Sequence, residues 1–181
     1  SPLASFREYQ EKHAWGWEHQ ALTRARFVAG DAAIGREFEA LRIAILRKSR
    51  ELDALRDEIA AMRKKIHDAH PNRSNLFDLK HDRGGIIDVE FIVQYLVLGY
   101  AGKHAELTGN IGNLALLKLA GRLGLIAQDR ALAVHDAYRE FRRRQHRLRL
   151  AGEKYARVPR AEVSAHADAV RDLWQSVFGA S

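Results

Sequence analysis

Apolar residues recur at helical spacing along most of the chain, and the strict alternation typical of strands is almost absent. Pro2, Pro71 and Pro159 stand where this apolar pattern is interrupted, as expected at helix boundaries. The pattern predicts an all-α protein, a multi-helix bundle of about six or seven helices with one irregular segment that contains glycine. We expect residues 1–181 to form a single helical domain.

The first predicted helix extends from about Ser5 to Val28, and a bend near Gly16 is compatible with its pattern. Its apolar residues recur on one stripe, so one face of this helix should be buried. Gly30 ends the helix, and Asp31 can cap the next one because its carboxylate accepts from backbone amides.

An apolar seam from Phe38 to Ile66 fits either one long helix or an antiparallel pair of helices. The seam has one gap, at Lys48, and Ser49 follows directly. We therefore favour a break near Ser49, although the pattern alone fits both arrangements.

The later part of the chain begins with an irregular stretch, residues 70–85, in which Leu76–Lys80 is expected to be extended. Ile86–Tyr100 is apolar on nearly every side, as expected for the buried central helix of a domain. Three further helices are predicted, beginning near Asn110 or Gly112, near Gln128 and near Arg160, and ending near Leu123, Leu150 and Phe178.

Composition narrows the class of protein. Hydrophobic residues make up 46% and charged residues 29%, which is typical of a soluble globular domain, and no apolar run reaches the ~20 residues that a membrane helix needs. The chain has no cysteine, which excludes disulfides, thiolate zinc sites and cysteine nucleophiles. The first residue is Ser1 and the only methionine is Met62, so we expect the chain to be part of a longer protein.

The net charge of +7 is concentrated in one stretch, Arg139–Arg160, which holds nine Arg or Lys and two Asp or Glu. A basic surface can attract nucleic acid, nucleotides or an acidic protein, but it can equally be the solvated face of a helix. No nucleic-acid recognition motif accompanies the charge, so we expect no nucleic acid partner. The candidates for contact with a partner protein are Arg142, Arg143, Arg147 and Arg149.

Two segments contain residues that can carry chemistry, and the first lies near the start of the chain. On a helix, Trp17, Gln20 and Arg24 would lie on neighbouring turns, beside Glu18. Arg24 and Arg26 can hold phosphate oxygens because guanidinium has forked donors and a permanent charge. The alternative is an ion-pair network that anchors the helix.

The second segment, Phe77–Gln94, places Gly84 and Gly85 directly before the apolar helix, with Lys80 and Arg83 upstream. Two glycines allow a tight turn and would leave the first amides of the helix open to an anion such as phosphate. The segment is not a Walker loop because it lacks the Gly-Lys-Ser/Thr ending.

Asp88, Glu90 and Gln94 follow on the same helix. Asp88 and Glu90 fit the favourable placement of acids at a helix N-terminus. Glu90 shares a stripe with Gln94 on an otherwise apolar helix, and a buried carboxylate needs a partner or must take up a proton. Lys80, Arg24 or Arg26 can supply that partner in an ion pair. The alternatives are that Glu90 supports a nucleotide site or binds a metal ion.

The other classes of chemistry find little support in the sequence. His67 and His70 are three residues apart, but no HExxH motif or carboxylate–histidine cluster accompanies them, so we expect no metal site. Ser–His–Asp catalysis lacks the strained Gly-x-Ser-x-Gly turn.

Both segments resemble signature blocks of the glutamine synthetase adenylyltransferase family. WEHQALTRARFVAGD, residues 17–31, is similar to the block that follows the nucleotidyltransferase fold in that family. FDLKHDRGGIIDVEFIVQYLVL, residues 77–98, is similar to the second block, and the two occur in the expected order. The resemblance covers most of the chain and is looser between and after the blocks.

The resemblance implies a fold and an activity. Family members have two nucleotidyltransferase halves, each followed by a helical domain, and the blocks look like those of the C-terminal, adenylylating half. That half transfers AMP from ATP to a tyrosine of glutamine synthetase with Mg²⁺, in the bacterial cytoplasm. The family's Gly-Ser motif and paired Asp-x-Asp metal ligands have no match in this chain. We therefore expect the chain to bind neither ATP nor Mg²⁺ by itself and to be inactive alone.

The resemblance also implies roles for the candidate residues. Arg24, Arg26 and Lys80 would face the nucleotide phosphates. Gly84 and Gly85 would allow close approach of the backbone, and the acids Asp88 and Glu90 would orient the cations or support the metals. The supporting residues would be Trp17, Glu18, Gln20 and Gln94.

The implied partners are glutamine synthetase, a PII-type signal protein and the family's upstream nucleotidyltransferase domain. No membrane is among the expected partners. The alternative function is that of a regulatory module that docks the PII-type protein or glutamine. The basic stretch Arg139–Arg160 is the candidate surface for that docking.

Overall fold

A computed structural model describes residues 2–179. In this range the chain forms eight α-helices, and its only strand structure is one two-stranded ladder, which confirms the predicted all-α class. The count is slightly above the six or seven helices predicted. The elements are α1 (Pro2–Lys12), α2 (Gly16–Leu22), α3 (Ala32–Leu46), α4 (Leu52–Ala69), β1 (Phe77–Asp78), α5 (Ile86–Tyr100), α6 (Asn113–Arg122), α7 (Gln128–Leu150), β2 (Arg157–Val158) and α8 (Ser164–Phe178).

The chain divides into two compact units. Unit 1 contains the residues up to Ile59 together with Gln94–Gly112, and unit 2 contains Ala60–Val93 together with the residues from Asn113 onward. Two of the boundaries between the units fall within α4 and α5, and the third lies directly before α6.

The core of unit 1 contains a buried arginine. The side chain of Arg42, on α3, is 0% exposed and forms an ion pair of 2.7 Å with Glu39. Its guanidinium also donates to the carbonyl oxygens of Leu22, at 3.1 Å, and Thr108, at 2.5 Å. Arg42 therefore joins α2, α3 and the 3₁₀ turn Ala105–Thr108, and its donors are used within the unit.

The predicted first helix, Ser5–Val28, is interrupted just before Gly16, where its pattern allowed a bend, and it ends earlier than predicted. The chain leaves the helix after Lys12, and α2 begins only at Gly16, where Glu58 accepts a hydrogen bond of 3.0 Å from the amide of Trp17. The carboxylate can approach because Gly16 has no Cβ, which would lie 2.3 Å from Glu58 Oε2. α2 then ends at Leu22, where the hydroxyl of Thr23 donates to the carbonyl of Gln20 and competes with further helix.

The break favoured near Ser49 is confirmed. α3 ends at Leu46, and α4 begins at Leu52. The guanidinium of Arg50 stabilises the junction by donating to the carbonyl oxygen of Ile45 at 3.2 Å. Asp31 caps α3 as predicted, since its carboxylate accepts from the amides of two residues in the first turn.

In unit 2, α7 packs against α6 and α8, and α7 has the predicted bounds Gln128–Leu150. β1, which lies in the stretch predicted to be extended, pairs with β2 in antiparallel register. β2 was not predicted, because a strand of two residues is too short to leave a periodic pattern. The rings of Phe77 and Phe141 lie 6.0 Å apart and join the ladder to α7.

α5 matches the predicted helix Ile86–Tyr100 at both ends. Its residues are buried on nearly all sides, as the unbroken apolar composition indicated, and Val89, Ile92 and Leu98 are each 0% exposed. α6 begins at Asn113, just after the predicted start. α8 begins at Ser164, because a 3₁₀ turn, Arg160–Glu162, occupies the start of the predicted last helix.

Candidate functional site

The start of α5 is built around a buried ion pair between Asp88 and Arg63. Arg63 Nε donates to Asp88 Oδ1 at 2.5 Å, and the two side chains are 1% and 0% exposed. Arg83 Nη1 donates to the same oxygen at 3.2 Å, and the amide of Gly84 donates to Asp88 Oδ2 at 2.6 Å. Asp88 therefore links α4, the double-glycine turn and α5 within unit 2.

Arg63 makes two further contacts with the turn. Its Nη2 donates to the carbonyl oxygens of His81, at 2.9 Å, and Asp82, at 3.4 Å. Arg63 is not among the predicted site residues, because it is followed by two lysines and looks like part of a solvated face. A signal was present, since Arg63 stands four residues after Ile59 on the buried stripe of α4.

Arg83 connects the Asp88 cluster to α8. Its guanidinium lies 4.4 Å above the ring of Trp174, and its carbonyl oxygen accepts from Arg171 Nε at 3.2 Å. Burial lowers the pKa of Arg83, while the charge of Asp88 opposes this shift. The cation is therefore held between an acid and an aromatic face.

The amides of the double-glycine turn are not open, so the prediction of free donors for an anion is wrong. Besides Gly84, the amide of Gly85 donates to the carbonyl of Asp82 at 3.0 Å. The amides of Ile86 and Ile87 donate to the carbonyls of residues 79 and 80, at 2.8 and 3.3 Å. The physical reason is that the Leu79–Arg83 turn folds back and supplies the acceptors that an anion would otherwise provide.

The close approach that the glycines allow is made to the protein itself. Gly84 has a φ of +88°, and a Cβ there would lie 2.6 Å from the carbonyl oxygen of Ala167 on α8. A Cβ at Gly85 would lie 2.8 Å from the carbonyl oxygen of Leu79. Both glycines are buried, so they serve the packing of unit 2.

Glu90 is half-buried, and a tyrosine is one of its partners. Tyr138 Oη, on α7, donates to Glu90 Oε1 at 3.1 Å and accepts from Asn113 Nδ2 at 2.9 Å. Burial raises the pKa of Tyr138, so the hydroxyl keeps its proton and remains a donor. The phenol of Tyr138 is not among the predicted partners of Glu90, which are cations, a nucleotide site or a metal ion.

Gln94, the second polar residue on the apolar α5, is buried in unit 1. Its Oε1 accepts a hydrogen bond of 2.7 Å from Gln20 Nε2 on α2. Both side chains are buried, at 8% and 6% exposure. This pair joins the two candidate segments of the sequence, and the supporting role expected for both residues stays a prediction.

The remaining candidates of the first segment lie at the surface of unit 1. Trp17 is 41% exposed, and Arg24 and Arg26 are exposed in the stretch that follows α2. Glu18 accepts a hydrogen bond of 2.7 Å from Tyr9 Oη, which raises the pKa of Tyr9. The expectation that Arg24 and Arg26 face a phosphate stays a prediction.

The buried His19 was missed by the sequence analysis. One of its ring nitrogens lies 3.1 Å from the carbonyl oxygen of Gln10, and the other lies 3.0 Å from Arg50 Nη2. Burial, together with the charge of Arg50, lowers the pKa of His19. The neutral ring can therefore accept from the guanidinium and donate to the carbonyl, which makes His19 part of the framework of unit 1.

Lys80 differs from the other residues of the turn. Its amide donates to Asp78 Oδ1 at 3.0 Å, but its ammonium group is exposed and makes no hydrogen bond or ion pair within residues 2–179. The turn around it is fixed by the Asp88 cluster. Lys80 is therefore an available cation on a rigid support.

The four arginines proposed for partner contact lie exposed on α7 and differ in their contacts. Arg142 donates to Gln145 Oε1 at 3.1 Å, and Arg143 forms an ion pair of 2.7 Å with Glu140. Arg147 and Arg149 make no side-chain hydrogen bond or ion pair in the part of the chain that the structure describes. Arg147 and Arg149 are therefore the two arginines whose guanidinium groups are available to a partner protein.

The described part of the chain offers no group of three or more His, Asp or Glu side chains that could hold a metal ion. The carboxylate of Asp88 is occupied by two guanidinium groups and one amide. The donors that Mg²⁺ prefers are therefore not gathered at the start of α5. Within residues 2–179, no helix is both long and apolar enough to cross a membrane.

Two family models match the chain. The model described as GlnD PII-uridylyltransferase matches residues 53–175, which include the Asp88 cluster, α7 and most of α8. The model described as glutamate-ammonia ligase adenylyltransferase matches residues 1–41. The chain is thus a helical segment of a kind that occurs in nucleotidyl-transferring enzymes.

Curated relatives cover nearly the whole chain. They are named bifunctional glutamine synthetase adenylyltransferase/adenylyl-removing enzyme and include proteins from Ralstonia nicotianae (59% identity, 97% of this chain), Bordetella bronchiseptica (56%, 97%) and Nitrosomonas europaea (54%, 98%). The chain belongs to this glutamine synthetase adenylyltransferase family. It spans about a fifth of the length of the relatives, 19% of the first two and 21% of the third.

Proposed function

We propose that this chain is a helical part of an enzyme that transfers AMP from ATP to a tyrosine of glutamine synthetase and thereby regulates nitrogen assimilation. The observation that carries the proposal is identity of 54–59% over nearly the whole chain to enzymes named for this transfer. The proposed enzyme is cytoplasmic. Within it, this chain would also contact the nucleotidyltransferase domain of the longer protein.

The proposed reaction forms one P–O bond and breaks another. The tyrosine oxygen attacks the α-phosphorus of ATP, its proton passes to a base or to water, and pyrophosphate leaves with the electrons of the broken bond. Negative charge builds on the leaving pyrophosphate, so fixed cations beside it favour the reaction. Lys80, with Arg24 and Arg26, would supply such cations from this chain.

The Asp88 cluster would act in this scheme as a support. It fixes the turn that carries Lys80, and the buried pair with Arg63 ties that turn to α4. A cation on a fixed support loses less conformational entropy on binding phosphate than a cation on a mobile loop. Glu90 and Tyr138 would hold α5 and α7 together in the same unit.

Magnesium, when bound by the longer enzyme, would neutralise phosphate charge. Residues 2–179 do not present a suitable set of donors, so we assign the metal and the bulk of the ATP site to the part of the enzyme that this chain does not contain. We expect the 181-residue chain alone to transfer no AMP. Formation of AMP-tyrosine on glutamine synthetase, with ATP and Mg²⁺ present, would contradict this.

Lys80→Ala in the longer enzyme tests the proposed role. We expect kcat/KM for adenylylation to fall about tenfold or more, the range for loss of a charged contact to a transition state. Lys65→Ala is the matched control, because Lys65 is also an exposed lysine of unit 2 without a side-chain partner. Equal kcat/KM for the Lys80 variant and the control would refute the assignment.

The second candidate function is regulatory docking of a PII-type signal protein or of glutamine. The unpaired, exposed guanidinium groups of Arg147 and Arg149 favour a surface for an acidic partner. Titration of the longer enzyme with PII protein, for the parent and for an Arg147→Ala/Arg149→Ala variant, separates the two functions. A docking surface predicts weaker binding by the variant, whereas a purely catalytic role predicts no change.

A further inference from the structure

Unit 2 contains a cleft of about 390 Å³ between the start of the turn that carries Lys80, the C-terminal end of α7 and the loop that precedes β2. We call it the basic cleft, and its charged lining residues are Asp78, Lys80, Arg149, Glu153, Lys154 and Arg157. A volume in this range suits a small molecule better than a macromolecular segment.

The cations of the basic cleft are incompletely neutralised. Lys80 and Arg149 make no side-chain hydrogen bond or ion pair in the described part of the chain, and Lys154 contacts only the ring of Tyr155, with Nζ 5.3 Å from its centroid. Arg157 is held in place by the same ring, at 4.3 Å, and by Asp78, at 3.5 Å.

The acids of the cleft do not cancel this charge. Asp78 Oδ1 accepts from the amides of Lys80 and His81, both at 3.0 Å, and its Oδ2 faces Arg157. Its charge is therefore largely used inside the protein. Glu153 is exposed and forms no ion pair within residues 2–179. The four cations of the lining exceed its two acids by two charges.

We propose that the basic cleft binds a small phosphate-bearing anion that carries at least two negative charges. Guanidinium and ammonium groups that converge on one cleft match phosphate oxygens, whereas a single carboxylate would leave part of the positive charge uncompensated. Leu148 and Gln145 also line the cleft, and they provide an uncharged surface for the rest of the ligand.

The site is distinct from the double-glycine turn. The amides of that turn donate inside the protein and offer nothing to an anion, whereas Lys80 projects from the other end of the same segment into the lining of the cleft. Binding here needs no metal carboxylates. The inference rests on the proposed function for Lys80, which both share, and it deepens that function by adding Arg149, Lys154 and Arg157. It departs from the expectation that the chain alone binds no ATP.

Isothermal titration of the 181-residue chain tests the proposal, with pyrophosphate, ATP, AMP and adenosine as separate probes in metal-free buffer. We expect pyrophosphate and ATP to bind saturably and more weakly as salt rises, and adenosine not to bind. If ATP binds and pyrophosphate does not, the ligand of the cleft is a nucleotide. If both bind, the cleft recognises the phosphate chain itself. Absence of saturable binding by every phosphate probe, or equal binding of adenosine and ATP, would overturn the proposal.

Variants locate the binding. Lys80→Ala and Arg149→Ala should each weaken binding about tenfold or more, the effect expected for loss of one charge-assisted contact. The matched controls are Lys65→Ala and Arg130→Ala, which remove one exposed, unpaired cation each outside the cleft. Because none of these four side chains makes a hydrogen bond or ion pair in residues 2–179, helical circular dichroism should be the same for all four variants.

If the controls weaken binding as much as the cleft variants, the anion binds by overall charge and the proposal fails. The Arg149 variant also separates this proposal from the transfer reaction. Loss of phosphate binding with unchanged adenylylation by the longer enzyme would support the basic cleft alone, whereas intact binding with loss of transfer in the Lys80 variant would support the transfer role alone.

Discussion

Arg63 and Asp88 form a buried ion pair in which Nε lies 2.5 Å from Oδ1 and neither side chain is more than 1% exposed. The pair is surrounded by backbone carbonyls and by the amide of Gly84, so it fixes the conformation of a turn as well as the spacing of two helices. A buried pair of this kind is costly to break, because removal of one partner leaves an uncompensated charge.

Asp88→Asn should therefore destabilise the protein strongly. We expect a loss of about 3–5 kcal/mol, since the guanidinium of Arg63 stays buried without its counter-charge. Asp57→Asn is the control, because Asp57 is exposed on α4 and has no ion pair in the described range, and it should change stability by about 0.5 kcal/mol or less. Urea unfolding measures both, and similar midpoints for the two variants would contradict the role given to Asp88.

Gly84 and Gly112 provide a matched test of the double-glycine turn. Their φ angles are +88° and +86°, but a Cβ at Gly84 would lie 2.6 Å from a carbonyl oxygen of α8, and nothing lies within 4 Å at Gly112. Gly112→Ala should cost about 1–2 kcal/mol, for the left-handed backbone alone. Gly84→Ala should cost about 1–3 kcal/mol more, for the overlap. Equal losses of stability for the two variants, in thermal or urea unfolding, would show that α8 can move away from the added Cβ at no cost in free energy.

The long helices could be predicted because their patterns are strong. Ile86–Tyr100 is apolar throughout and Gln128–Leu150 keeps one seam, and both helices have the predicted bounds. The break between α3 and α4 was indicated by Lys48 in the seam, which a buried stripe does not tolerate. These features depend on neighbours within one or two helical turns, which a sequence displays directly.

The failures arose where distant residues decide the structure. Residues 23–28 have an apolar spacing that suits a helix, but α2 ends at Leu22 and the stretch is not helical. The amides before α5 looked open because their acceptors come from a turn that no periodicity reveals. Arg63 likewise gains its importance from a carboxylate that lies 25 residues along the chain. The sequence shows which side chains can carry charge or hydrogen bonds, but it does not show which distant residues they contact.

Glu140 should make stability depend on pH. Hydrogen bonds from Arg143 and Arg144 lower the pKa of Glu140 from 4.5 to about 2. A depressed folded-state pKa stabilises the protein above the unfolded pKa, so this contribution is complete above about pH 5 and is lost as the pH falls towards 2. Because the pair is partly exposed, its size should be about 1 kcal/mol or less.

Glu140→Gln tests this linkage. The variant should be less stable than the parent at pH 7, and the difference should shrink as the pH falls from about 4.5 to about 2. Added salt should also reduce it. Glu153→Gln is the control, since Glu153 is exposed and no ion pair is found for it in residues 2–179. A difference that persists at pH 2 would show that the glutamate acts through packing and not through its charge.

Gln20 and Gln94 should be coupled in stability, because each satisfies the other in a buried site at 2.7 Å. Gln20→Leu and Gln94→Leu should each cost about 1–3 kcal/mol, since one substitution leaves the remaining amide without its partner. The double variant replaces both polar groups by apolar ones, so it should cost clearly less than the two single losses together. Urea unfolding of the four proteins gives the coupling energy. Additive losses would mean that the two amides do not depend on each other, and that the contact between α2 and α5 is held by its apolar neighbours alone.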